Sequence, residues 1–190
     1  MATSTDKTST RDRLLDAAME LFYRDGVSLG VEALCRAAGV SKRSMYQLFA
    51  SKDEVLAASL ERRAPEYGRM LHLGPEDPRP PRERILYVFE QLERASVADD
   101  YRGCPFLSAM VELKNPEHPA SVVALRVKGR LVEAFRADAE HGGAHDPDLL
   151  ARQLTLVFDG ASARAGAKAE TLEGLTTSTA KALLDAAGVK

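Results

Sequence analysis

The stretch "AGVSKRSMYQLFASKDEVL", residues 38–56, gathers side chains whose combined chemistry suits a nucleic acid. Lys42 and Arg43 can meet guanine O6/N7 or a phosphate oxygen. Gln47 can pair bidentately with adenine, and the hydroxyls of Ser44 and Tyr46 reach either kind of acceptor. Lys52 follows at a helix start, where free N–H groups and the positive dipole end already favour an anion. Between residues 33 and 52 the cations Arg36, Lys42, Arg43 and Lys52 stand with no acid among them. A helix buried on all sides would not carry this set. One that touches an anion would.

Such side chains need elements that hold them outward. A first helix is predicted over about 10–24, because Leu14, Ala18, Leu21 and Phe22 recur at the spacing of one helical face. "RDG" closes it at Gly26. A short second helix runs over about 31–38 and stops at Gly39. A third starts after the N-cap Ser41 and runs to about Phe49. Two short helices, a turn containing Gly and an outward second helix make a helix-turn-helix. Val40 plugs the angle between them, and Met45 and Phe49 share the inner face, against Leu21, Phe22 and Leu34. Arg43, Ser44 and Gln47 are then the expected base readers. Lys52 and Tyr46 are expected on the phosphates, and Lys42 covers the same face.

The remainder also reads as helix, for an all-α chain of about nine helices. Ser51 and Glu54 have capping-box spacing at the start of the fourth, which Pro65 is expected to end or kink. "HLGPEDPRPP" is a linker, and Pro80–Pro81 open a fifth helix. Further helices follow at about 105–114, at about 119–140, after Asp146–Pro147, and at about 172–187. The chain divides into a DNA-binding head, 1–56, and a helical body, 57–190. No apolar run nears the roughly 20 residues that span a bilayer, and "MATSTDKTSTRDR" has no signal core. A cytoplasmic protein with no membrane partner is expected. A net charge of −2 argues against one that coats nucleic acid indiscriminately, though its distribution matters more than the sum.

"LLDAAMELFYRDG…VEALCRAAGVSKRSMYQLFASKDEVL" resembles the DNA-binding head of the TetR family of transcriptional regulators. "AAGVSK", the pair Tyr46 and Phe49, and "SKDEVL" fall in that family's order and spacing, over about residues 10–60. The resemblance implies a homodimer that places its third helices in the major grooves of a double-stranded operator. It also implies a variable body that binds an inducer, with repression as the usual outcome. Gly30 departs from the pattern, standing where the family often has a Thr on phosphate; Ser28 is the candidate substitute. Cys35 replaces a usual Ala. "GCPFLSAMVE" resembles a segment of one branch, with Ser108 where Asn is common.

Independently, one head contacts too few bases to be selective, whereas two heads about 34 Å apart read a palindrome. Leu150, Leu154, Val157 and Ala161 stripe the eighth helix, and Leu172, Leu175 and Leu183 the ninth. A contact of two helices from each subunit is expected there. Met70, Phe89, Leu92, Cys104, Phe106, Leu107, Met110, Val111 and Phe158 are the candidate lining for a small apolar effector, with Ser108 or Tyr101 orienting it. The fourth helix, hinged at Pro65, is the expected lever. "HGGAHD" is the one metal-like cluster, but it sits in a loop, and no metal or cofactor is assigned. Cys35 and Cys104 match no zinc or disulfide spacing. With no phosphate loop or catalytic-triad motif, an enzyme is not expected. The competing reading is a helical dimer that binds a protein partner and has lost operator binding.

Overall fold

The structure, a computed structural model, describes residues 9–74 and 76–190. Most of the N-terminal stretch read for a signal core, and Pro75 of the linker, lie outside them. The described residues form nine α-helices and no strand. They are α1 (Thr10–Asp25), α2 (Val31–Ala38), α3 (Lys42–Leu48), α4 (Lys52–Leu71), α5 (Pro81–Ser96), α6 (Pro105–Leu113), α7 (Pro119–His141), α8 (Pro147–Gly166) and α9 (Leu175–Ala187). None is long and apolar enough to cross a membrane.

Local chemistry explains most boundaries. Ser9, Ser41, Ser51 and Asp146 each accept a backbone N–H of the first turn they cap, the last at 3.0 Å from Leu149. Glu54 completes the cap of α4 by accepting from Ala50 N–H at 2.8 Å. Gly39 turns left-handed at φ 63, and Val40 N–H reaches back to Cys35 O at 3.0 Å. That conformation strains any residue with a Cβ, so glycine closes α2 and releases the chain into α3. His118 caps α7 with its ring, Nδ1 accepting from Ala120 N–H at 3.1 Å.

The ends of two helices differ from expectation. α4 continues through Pro65 to Leu71. Proline at that exposed position removes one donor from the helix ladder. Ala64 and Leu71 are buried beside it, and packing on α7 holds the helix through the missing bond. α9 starts at Leu175, after Gly174 at φ 85, rather than near Leu172, whose side chain is nevertheless buried. The division at 56/57 falls inside α4, which packs on α1 at one end and on α5 and α7 further along.

Aromatic rings dominate the body core. Phe89 of α5 and Phe135 of α7 stack with centroids 5.7 Å apart and planes 6° from parallel, and Phe106 meets the ring of Tyr67 edge-on at 5.1 Å. An ion pair joins the buried Lys128 of α7 to the half-buried Asp159 of α8, with the ammonium 4.9 Å from the centre of the Phe158 ring. Phe89, Leu92, Cys104, Phe106 and Phe158, expected to line an effector cavity, are all buried in the core of the body. Their apolar character served burial by their own chain. Leu107 and Met110 are half-buried, and Val111 faces outward at 60% exposure.

Candidate nucleic-acid interface

Helix α3 is held by its inner side. Met45 is fully buried and Phe49 nearly so; Cys35 Sγ of α2 lies 3.8 Å from Met45 Sδ, and Arg11 of α1 covers the Phe49 ring. With that side fixed, Arg43, Tyr46 and Gln47 point outward, Tyr46 being 53% exposed. Leu48, at 42% exposure, joins this outer face and was not singled out in the sequence. Arg36 of α2 is exposed alongside, and neither Arg36 nor Arg43 makes an ion pair among the described residues.

The remaining expected contacts are partly engaged within the head. Lys42 pairs with Glu32 of α2 at 2.6 Å, which raises the lysine's pKa and lowers the carboxylate's. Both groups are exposed, so the pair is weak and open to exchange. Ser44 is half-buried, with its hydroxyl 2.9 Å from Ser41 Oγ inside the cap.

Lys52 is engaged within the head as well. Its ammonium donates to Val27 O at 2.8 Å and to Leu29 O at 3.1 Å, tying the α1–α2 loop to the start of α4. Those loop carbonyls have no helix to bond within, and Lys52 supplies the donors. Two of its three protons are used in this way. Gly30 caps α2 without a side-chain bond, and a Cβ built there meets nothing within 4 Å.

The same loop is held from the body. Glu112 of α6 accepts from Val27 N–H at 2.8 Å. Tyr23 of α1 donates its hydroxyl to Gly103 O at 3.1 Å and accepts from Arg102 N–H at 2.8 Å. His118, before α7, lies 3.4 Å from Asp53 in the first turn of α4. Head and body therefore meet through α1, α4 and α6 together. Partners 80 or more residues apart leave no local mark in a sequence, which is why Tyr23 and Glu112 escaped it.

The expected dimer stripe separates on inspection. Leu150, Leu154 and Leu172 are buried within their own chain and are corrected to core. Val157, Ala161 and Leu183 are half-buried, whereas Leu175 is 47% exposed. Leu149 at 48% and Leu156 at 73% extend the outer face of α8. The "HGGAHD" loop does not converge on an ion: His141 Nδ1 lies 2.7 Å from Ala137 O, and Asp146 is spent capping α8.

Comparison with known proteins turns on this architecture. Residues 14–59 match the profile "Bacterial regulatory proteins, tetR family". A crystal structure of a TetR-type transcriptional regulator from Streptomyces avermitilis is 59% identical. It superposes with a TM-score of 0.94, over 96% of this chain and 100% of that one.

The chain belongs to the TetR family.

Its class is that of DNA-binding bacterial regulators, not enzymes. A TetR-family regulator from Streptomyces coelicolor, 21% identical, shares the fold with a TM-score of 0.78 over 94% of this chain and 96% of that one. An uncharacterized HTH-type transcriptional regulator of Mycobacterium tuberculosis is 37% identical over 76 residues. That match spans 40% of this chain and 38% of the relative's length. Among TetR proteins, then, the likeness to that curated relative covers a minority of each chain, and the likeness to the Streptomyces avermitilis structure covers nearly all of both.

Proposed function

We propose that this TetR-family protein is a ligand-responsive repressor that binds a palindromic operator as a homodimer, with α3 in the major groove. The observation that carries the reading is the division of α3 into an inner side, Met45 and Phe49, and an outer side, Arg43, Tyr46 and Gln47. Arg43 and Gln47 read base edges, with Ser44 at the margin. Tyr46 and Lys42 position the phosphates, Lys42 after giving up Glu32. Lys52 contributes by fixing the loop behind them. The head is residues 1–56 and the body 57–190, with α4 common to both.

The half-exposed leucines of α8 and α9 support self-association through those helices. Leu149, Leu156, Leu175 and Leu183, with Val157 and Ala161, form the proposed interface. Selection of bound sites from random duplexes, followed by salt titration, tests the whole proposal. A dimer neutralising about six to ten phosphates loses on the order of 10³–10⁵ in affinity between 50 and 200 mM salt. A protein that retards no duplex at any salt refutes operator binding and returns the partner-binding alternative.

A further inference from the structure

At the junction of head and body lies a cleft of about 500 Å³. Its walls come from α1 (Met19, Tyr23), α4 (Arg63, Tyr67, Met70) and the segment before α6 (Tyr101). The volume is that of a small-molecule site. It differs from the apolar body cavity expected from the sequence: of those candidates Met70 and the orienting Tyr101 line it.

Arg63 is its distinctive group. The guanidinium is half-buried, with its carbon 4.4 Å from the centre of the Tyr23 ring. Among the described residues it makes neither an ion pair nor a hydrogen bond. The preceding residue shows the contrast: Arg62 holds Asp12 at 2.7 Å and Asp16 at 3.0 Å. Glu66, one turn beyond Arg63, does not reach it. A guanidinium partly withdrawn from water gains most from a planar anion that accepts two parallel N–H bonds. Burial raises the pKa values of Tyr23, Tyr67 and Tyr101, so the phenols of the cleft stay neutral.

We propose that this cleft binds a small monocarboxylate, with its carboxylate on Arg63 and its apolar body along Met19, Met70 and Tyr67. The charge of the cleft sets the limit at one. Glu66 and Asp100 also line it, and a dianion such as a phosphomonoester would face both. They are exposed and solvated, which makes them poor anchors for a cation. The face of Tyr23 is already occupied by Arg63. A carboxylate meets the edge of the guanidinium in its own plane, so Arg63 can stay over the Tyr23 ring while it binds. Tyr23 is the residue whose hydroxyl ties α1 to Arg102 and Gly103, so occupancy of the cleft bears directly on head orientation. The regulatory consequence rests on the proposed DNA-binding function; the binding itself does not.

Calorimetry on the full-length protein, with octanoate, octyltrimethylammonium and 1-octanol as probes, provides the test. Octanoate is expected to bind with a Kd on the order of 0.1–1 mM and the other two far more weakly. Arg63→Gln is expected to weaken octanoate roughly tenfold or more, and Arg63→Lys to recover part of that loss. Met70→Glu places a like charge on a side chain that is already 39% exposed, and weakens octanoate with little risk to the fold. Equal or tighter binding of the cation or the alcohol overturns the proposal, as does octanoate binding that ignores Arg63→Gln and Met70→Glu, or no octanoate binding at all. Gel shifts with the selected duplex separate the two readings. Octanoate binding without any DNA shift keeps the site and sinks the regulator; a DNA shift without octanoate binding does the reverse.

Discussion

Replacing Lys52 with methionine distinguishes a loop clamp from a phosphate contact. Methionine keeps most of the apolar stem and deletes the ammonium. In the structure that ammonium donates to two loop carbonyls, Val27 O at 2.8 Å and Leu29 O at 3.1 Å. A hydrogen bond to a charged group contributes roughly 1.5–3 kcal/mol. Lys52 is half-buried, and water can replace part of what is lost, so the pair is worth about one such bond, ~2 kcal/mol. For a chain of this size each kcal/mol moves Tm by about 2–4 °C, which gives a fall of about 4–8 °C. Thermal unfolding at fixed protein concentration measures it. The slope of log affinity against log salt should stay near that of the parent protein, because no phosphate contact is removed. A direct phosphate contact predicts the opposite pair of results. Tm would hold, and the slope would shrink by about 0.9 for each protomer. That outcome would refute the clamp.

Other substitutions follow from the same geometry. Met45→Ala empties the fully buried seat of α3 and should cost about 2–5 kcal/mol in denaturant unfolding, with operator binding lost although no DNA contact is touched. Glu32→Gln releases Lys42 and removes an acid beside the phosphates, so DNA binding should tighten and its salt dependence steepen; weaker binding in gel shifts would count against Lys42. Leu156→Arg, at a leucine 73% exposed in the single chain, should yield monomers by sedimentation without lowering helicity. Asp77, held by Arg79 in the turn before α5, should titrate by NMR at about 2 rather than 3.8. Its folded pKa lies below the unfolded value. Its support of the turn is therefore full above pH ~4 and is lost as pH falls through about 2.

The outward face of α3 was legible because each device that creates it is local. Ser41 and Ser51 are caps by type and position, Gly39 meets the demand for positive φ, and Met45 and Phe49 sit four residues apart. Pro65 does not end α4, because the cost of proline within a helix, about 3 kcal/mol, is only a local quantity. What offsets it is the packing of α4 on α7, which no window around Pro65 contains. At Lys52 the information missing from the sequence is likewise distant. A lysine at a helix N-terminus beside a recognition helix has the chemistry of a phosphate ligand, until two loop carbonyls more than 20 residues earlier need its protons.

Periodicity, capping residues and turn glycines by themselves determined the all-α class, nearly every helix boundary, and the side of α3 that faces out. All three act within a few residues, where chain connectivity brings the interacting groups together. Which leucines of α8 and α9 serve their own core, whether Lys52 holds a loop, and that Arg63 stands over Tyr23 in a cleft, unpaired among the described residues, were decided by the tertiary structure alone. An apolar stripe records that a surface will be covered, and a charged residue records that it needs a partner. Neither names the partner, because distant segments are brought together only when the helices pack.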